Sequence, residues 1–243
     1  MEHSSGAGPA DDHGPSRRIA FLQHGPLESP GVLGMRADDL GFEVRCYRAD
    51  RVEDGLPDPE ECAAIVVLGS VESTNDPDVG WVAPERTFVI AAVAHDVPVL
   101  GVCFGGQLLS QALGGRVVPS PRPEAGWLSI ASDEPGLVAP GPWLLWHNEA
   151  VELPPGAVVL ARNDVAIQAY AQGRHLGVQF HPEVTPAIVG SWINDAKQRD
   201  EVTTEEHDAL WNGIEERARV SASNARALFD GFLRRSGLLH APD

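Results

Sequence analysis

The residue with the most chemistry in prospect is a cysteine bracketed by glycines. Gly101-Val102-Cys103-Phe104-Gly105-Gly106-Gln107 follows the apolar run 97–102 and opens a stretch with Leu108, Leu109, Ala112 and Leu113, closed by Gly114-Gly115. Gly-x-Cys-x-Gly between a strand and a helix is the thiol form of a nucleophile elbow. The tight turn lifts its central side chain clear of the sheet edge, and only small neighbours leave room for it. A helix start carries roughly half a positive charge, which favours a thiolate. Unpaired N–H groups there, that of Phe104 first, can hold an oxyanion. Cys46 and Cys62 lack this setting and read as small buried hydrophobes.

A thiol nucleophile needs a base, and the base a third group to steer it. Nine histidines are available. His181 stands in Gln179-Phe180-His181-Pro182-Glu183, just past an apolar strand. In extended backbone, residues two apart project to one side, and Pro182 biases His181 toward that geometry. His181 and Glu183 then form one base-and-orienter unit, completing a Cys-His-Glu triad. A competing arrangement pairs His147-Asn148-Glu149 with His181-Pro182-Glu183 as metal ligands, which leaves the cysteine elbow without a purpose.

The elements that must position these groups can be read from periodicity. Runs 18–23 (RIAFLQ), 63–68 (AAIVVL) and 97–102 (VPVLGV) predict buried strands, and 42–47 (FEVRCY) an alternating one. Helices are predicted around 31–40, ended by Gly41, and over 83–94. This rhythm predicts βαβ units: an α/β fold whose central sheet is mostly parallel, with helices on both faces. Short pieces within 116–180 (WLSIA, WLLWH, AVVLA, GVQF) predict an antiparallel extension. Toward the C-terminus, Thr203 and Glu206 form a capping box, and Ala225, Leu228, Phe229, Phe232 and Leu233 mark an amphipathic helix facing the core. The predicted division is a disordered tail over 1–16, one domain over 17–198, and a helical extension over 199–243 packed on it.

Composition narrows the partners. Eighteen Lys+Arg against 35 Asp+Glu give a net charge of −17, a poor match for nucleic acid or anionic membrane. Lys197 is the single lysine and no Gly-x-x-x-x-Gly-Lys-Ser/Thr stretch occurs, so a Walker-type ATP site is not expected in the chain. Three cysteines without paired spacing suit a reducing compartment. With no apolar run in the first sixteen residues or of spanning length elsewhere, a cytoplasmic location is expected.

The two motifs together resemble the catalytic signatures of class I glutamine amidotransferase domains. Smaller pieces extend the likeness over about 18–194: Leu22-Gln23-His24, Ser29-Pro30-Gly31, Glu124-Ala125-Gly126-Trp127, Trp146-His147 and Leu153-Pro154-Pro155-Gly156-Ala157. They resemble the stand-alone branch similar to the amidotransferase domain of GMP synthase. The resemblance implies a flavodoxin-like sheet, a γ-glutamyl thioester on Cys103, and release of ammonia and glutamate without cofactor or metal. It also implies that Gly69 and Ser70 complete the oxyanion hole with Phe104, and that Gln107 and a turn at Asn148-Glu149 hold the glutamine α-groups. Many members carry Gly-Gly-Pro where this chain has Gly69-Ser70-Val71, which leaves open a different γ-glutamyl peptide or amide as substrate. Any ATP-using synthetase that takes the ammonia would be a separate chain. A non-catalytic binding protein is the remaining alternative.

Overall fold

The computed structural model describes residues 16–199 and 203–240, so the tail expected over 1–16 lies, but for Ser16, outside the described residues. In chain order these residues form β1 (Arg18–Gln23), α1 (Gly31–Asp39), β2 (Glu43–Arg48), β3 (Ala64–Val67), α2 (Val82–Ala94), β4 (Val99–Val102) and α3 (Phe104–Ala112). There follow β5 (Arg116–Leu128), β6 (Ala131–Ser132), β7 (Trp143–Glu152), β8 (Val158–Arg162), β9 (Ile167–Gln172) and β10 (His175–Val178). Three helices close the chain: α4 (Pro186–Gln198), α5 (Thr204–Trp211) and α6 (Ile214–Arg235).

A strand with no polar face has to be covered on both sides, and β3, β4 and β10 are buried at every residue. They form the middle of an eight-stranded sheet in the order β2-β1-β3-β4-β10-β9-β8-β6. The first five strands run parallel, as the βαβ rhythm predicts. From β10 outward the pairing is antiparallel, which is the extension expected in the middle of the chain. Ile19 and Phe21 face one layer of the core, with Leu33 of α1 and Phe229 and Phe232 of α6. Ala20 and Leu22 face the other, with Val89 of α2 and Leu108 of α3. β5 and β7 leave the sheet as a two-stranded ribbon, and Leu144 of β7 packs on α4 and α5.

The local signals act as elementary chemistry requires. Gly41 takes φ 77° just past α1, a left-handed turn that suits a residue without Cβ. Thr185 caps α4 by accepting the Ile188 N–H, and Pro186 occupies its first position. Helix α5 starts directly after Thr203, although the Glu206 side chain of the expected capping box lies outside the described residues. The apolar positions expected on α6 are all buried to 0%. Arg36 of α1 holds Asp230 of α6 through two 2.7 Å hydrogen bonds, a bidentate clasp between neighbouring helices.

Four sequence readings need correction. WLSIA does not make one strand, since β5 ends at Leu128 and β6 restarts at Ala131. β9 went unread because polar residues interrupt IQAYAQ. Cys46 is exposed, since it sits on the edge strand β2, while Cys62 is buried as expected. Asn148 and Glu149 lie within β7 and not in a turn; the irregularity falls on the opposing strand, between Pro119 and Glu124.

Candidate active site

β4 runs straight into Cys103 at the carboxyl edge of the parallel sheet, and α3 begins one residue later. Cys103 takes φ 51° and ψ −109°, a conformation that side chains with a Cβ seldom adopt. The glycines show how the turn closes. A Cβ on Gly101 would collide with the backbone of Gly105, and one on Gly105 with the Val67 carbonyl. The elbow is pinned to its neighbours by the Cys103 N–H donating to Val178 (2.8 Å) and the Gly105 N–H donating to Leu68 (3.2 Å).

His181 arrives just beyond β10, where its N–H donates to the Leu144 carbonyl at 2.9 Å. Its Nδ1 lies 2.8 Å from Glu183 Oε1, and both side chains are buried. The backbone does not continue extended as expected; Pro182 and Glu183 form a turn. The turn is held from α1: the Val32 N–H donates to the Glu183 carbonyl at 2.9 Å, and Gly31, at φ 46°, lies too close to that oxygen for any Cβ. Gly31→Ala is therefore expected to shift Glu183 and to cost about 1–3 kcal/mol of stability, read from a denaturant midpoint.

Gly69 is the point where thiol and imidazole meet. A Cβ there would lie 2.9 Å from His181 Cε1 and 3.7 Å from Cys103 Cβ, so both catalytic candidates border one glycine. Burial is the largest influence on the ring and disfavours its charged form. Glu183 and Cys103, as negative and hydrogen-bonding neighbours, outweigh burial and raise the His181 pKa from 6.5 to about 10. At neutral pH the ring thus holds its proton between a carboxylate and a sulfur. Trp192 walls it off, edge-on at 5.0 Å.

The remaining residues named from the sequence gather around the sulfur to different degrees. Phe104 is buried at the start of α3, and Ser70 follows Gly69 at the strand end. Gln107 is buried and donates to the Glu149 carbonyl (3.4 Å) and to Gln179 Oε1 (3.3 Å). The Glu149 carboxylate accepts from Ser73 Oγ at 2.9 and 3.0 Å, whereas Asn148 points to solvent. Sequence spacing had not singled out Gln179, whose Nε2 lies 3.5 Å from Cys103 Sγ. It stands two residues before His181, so the alternation applied to Glu183 also reaches it. The His147 ring is directed to Glu124 (3.1 Å) and the Glu149 carbonyl (3.0 Å), away from a shared ligand set with His181. Among the described residues no group of three or more His, Cys, Asp or Glu could hold a metal ion.

A family model described as glutamine amidotransferase class-I matches residues 33–195. The chain belongs to that family. This amidotransferase-type enzyme is 30% identical over 195 residues to the glutamine amidotransferase-like protein YfeJ of Salmonella typhimurium, covering 74% of this chain and 82% of that one. It is 42% identical over 192 residues to a GMP synthase [glutamine-hydrolyzing] of Aeropyrum pernix, covering 70% of this chain and 36% of that one. Against a GMP synthase of Thermomicrobium roseum the identity is 38% over 136 residues, 53% of this chain and 25% of that one. The chain thus spans a quarter to just over a third of these synthases. A crystal structure of a glutamine amidotransferase from Methylobacillus flagellatus superposes with a TM-score of 0.81 at 25% identity, covering 94% of this chain and 97% of that one. No helix among the described residues is long and apolar enough to cross a membrane.

Proposed function

We propose that Cys103, His181 and Glu183 hydrolyse the side-chain amide of glutamine through a γ-glutamyl thioester. One observation carries the reading: an imidazole steadied by Glu183 at 2.8 Å shares the border of Gly69 with the cysteine of a strained elbow. The sulfur attacks the amide carbon, and the carbonyl oxygen becomes an oxyanion held by the N–H groups of Phe104 and Ser70. His181 gives its proton to the departing nitrogen as the C–N bond breaks, and ammonia leaves. Water then adds to the thioester, passing to His181 a proton that stays on the ring as sulfur leaves as the thiolate and glutamate departs. Gln107 and the strand at Asn148 and Glu149 line the position for the substrate's α-groups.

In this reading the ammonia goes to a separate ATP-using synthetase chain, consistent with relatives in which the corresponding segment belongs to a GMP synthase. A second reading keeps the triad but takes another γ-glutamyl peptide or amide. It is favoured by Val71, which is 71% exposed beside Gly69-Ser70 where many members have Gly-Gly-Pro. Intact mass after incubation with a glutamine-analogue electrophile should show one adduct in wild type and none in Cys103→Ala. Ammonia release from glutamine against a panel of γ-glutamyl amides ranks the two substrates, and no release from any of them would end both readings.

The pH dependence follows from the raised His181 pKa. Its stabilising contribution is complete below 6.5 and is lost as pH rises through about 10. Glu183→Gln removes the first of the influences that raise it. The variant should lose both stability and kcat/KM at lower pH, with the alkaline limb moved down by about 1–3 pH units.

A further inference from the structure

Behind the elbow lies a second buried histidine-carboxylate pair that the chemistry above does not use. His24, just past β1, has its Nδ1 2.7 Å from the Gly69 carbonyl oxygen. Its Nε2 lies 2.9 and 3.0 Å from the two carboxylate oxygens of Glu85 on α2. Neither side chain has any exposed surface. A carbonyl oxygen only accepts, so Nδ1 must carry a hydrogen. The Glu85 contact either completes an imidazolium-carboxylate pair or shares a proton with it, and in both cases Nδ1 remains the donor. The imidazole also stacks on Trp81 at 4.9 Å and meets the Phe104 ring at 4.8 Å.

This one ring therefore touches Phe104 and the carbonyl of Gly69, whose peptide carries the Ser70 N–H assigned to the oxyanion hole. In a trans peptide the C=O and N–H of the same unit point in opposite directions. A carbonyl of Gly69 held toward His24 turns the Ser70 N–H the other way, and Gly69 itself borders both Cys103 and His181. A charge-assisted hydrogen bond on that carbonyl also polarises the peptide and strengthens its N–H as a donor. We infer that His24 and Glu85 are a positioning pair that fixes the Gly69–Ser70 peptide, and through ring contact Phe104, in the orientation that receives the oxyanion. The inference rests on the thioester reading of Cys103. It implies that the oxyanion hole is assembled within this chain alone, with no partner needed to turn the peptide.

The test separates reactions that develop an oxyanion from one that does not. His24→Leu should lower kcat for amide hydrolysis about 10²-fold, with KM changed less than about threefold. Alkylation of Cys103 by iodoacetamide, a displacement at saturated carbon, should stay within about threefold of wild type. His24→Asn places an amide N–H near the former Nδ1 and should recover about tenfold of the lost rate. Glu85→Gln keeps a hydrogen bond to the ring without the charge and should fall in between. Should His24→Leu not fold, the His24→Asn and Glu85→Gln comparisons carry the same decision. Variants with melting curves like wild type and kcat within about threefold of it would overturn the inference while leaving the thioester reading intact. So would alkylation that falls in step with kcat, because the pair would then act through the thiol or the fold. Wild-type protein that releases no ammonia from any γ-glutamyl amide overturns the thioester reading itself.

Discussion

Cys103→Ala is expected to lose amide hydrolysis by about 10⁴-fold or more, since no other group in the site can form the thioester. His181 and Glu183 stay in place in this variant, so substrate can still bind and only kcat collapses. A second comparison comes from the backbone. Replacing a residue by glycine usually destabilises a protein, because glycine loses more freedom on folding. At φ 51° and ψ −109° the sign should reverse. Cys103→Gly, equally inactive, should be more stable than Cys103→Ala by about 1–3 kcal/mol, the strain released when the Cβ is gone. Parallel urea titrations of the two variants read this directly. An alanine variant as stable as the glycine one would mean that the elbow stores no strain.

Phe232→Ala should be among the most damaging single changes in the C-terminal helix. Phe232 is fully buried, and its ring lies 6.1 Å from that of Phe229 in the core layer shared with Phe21 and Leu33. Removing a ring from such a layer leaves a cavity and costs about 3–5 kcal/mol. In a chain of this size that lowers the melting temperature by about 6–20 °C. Arg36 of α1 also fastens the same helix through Asp230, so partial detachment is not an easy relief. A drop below 1 kcal/mol, measured by thermal and urea unfolding, would show that α6 contributes little to the fold.

Much of this was readable before any coordinates because it rests on local rules. The unbroken apolar runs of β1, β3 and β4 admit only burial on both faces, and the glycine bracket around Cys103 has few other purposes. The i, i+3, i+4 pattern of α6 likewise marked its buried face. What escaped depended on distant partners. β9 alternates with polar residues, and Gln168 within it is buried by donating 2.9 Å to Glu124, 44 residues away. Asn148 and Glu149 looked like a turn because the bulge that distorts their ladder sits on the other strand. His24 and Glu85 are 61 residues apart, and neither sits in a pattern that announces the other. Even the His181–Glu183 pairing, foreseen from extended alternation, is built by a turn that α1 holds in shape.

Because β4 and β10 are adjacent rungs of one ladder, the nucleophile and its proton carrier cannot drift apart by hinge or domain motion. The amide hydrogen of Cys103 is bonded to Val178 in the most protected part of the sheet, so it should exchange with solvent only when the whole molecule opens. Catalytic competence is then tied to global cooperativity: on heating, turnover should persist up to the unfolding transition and vanish with it, without an earlier, softer decline.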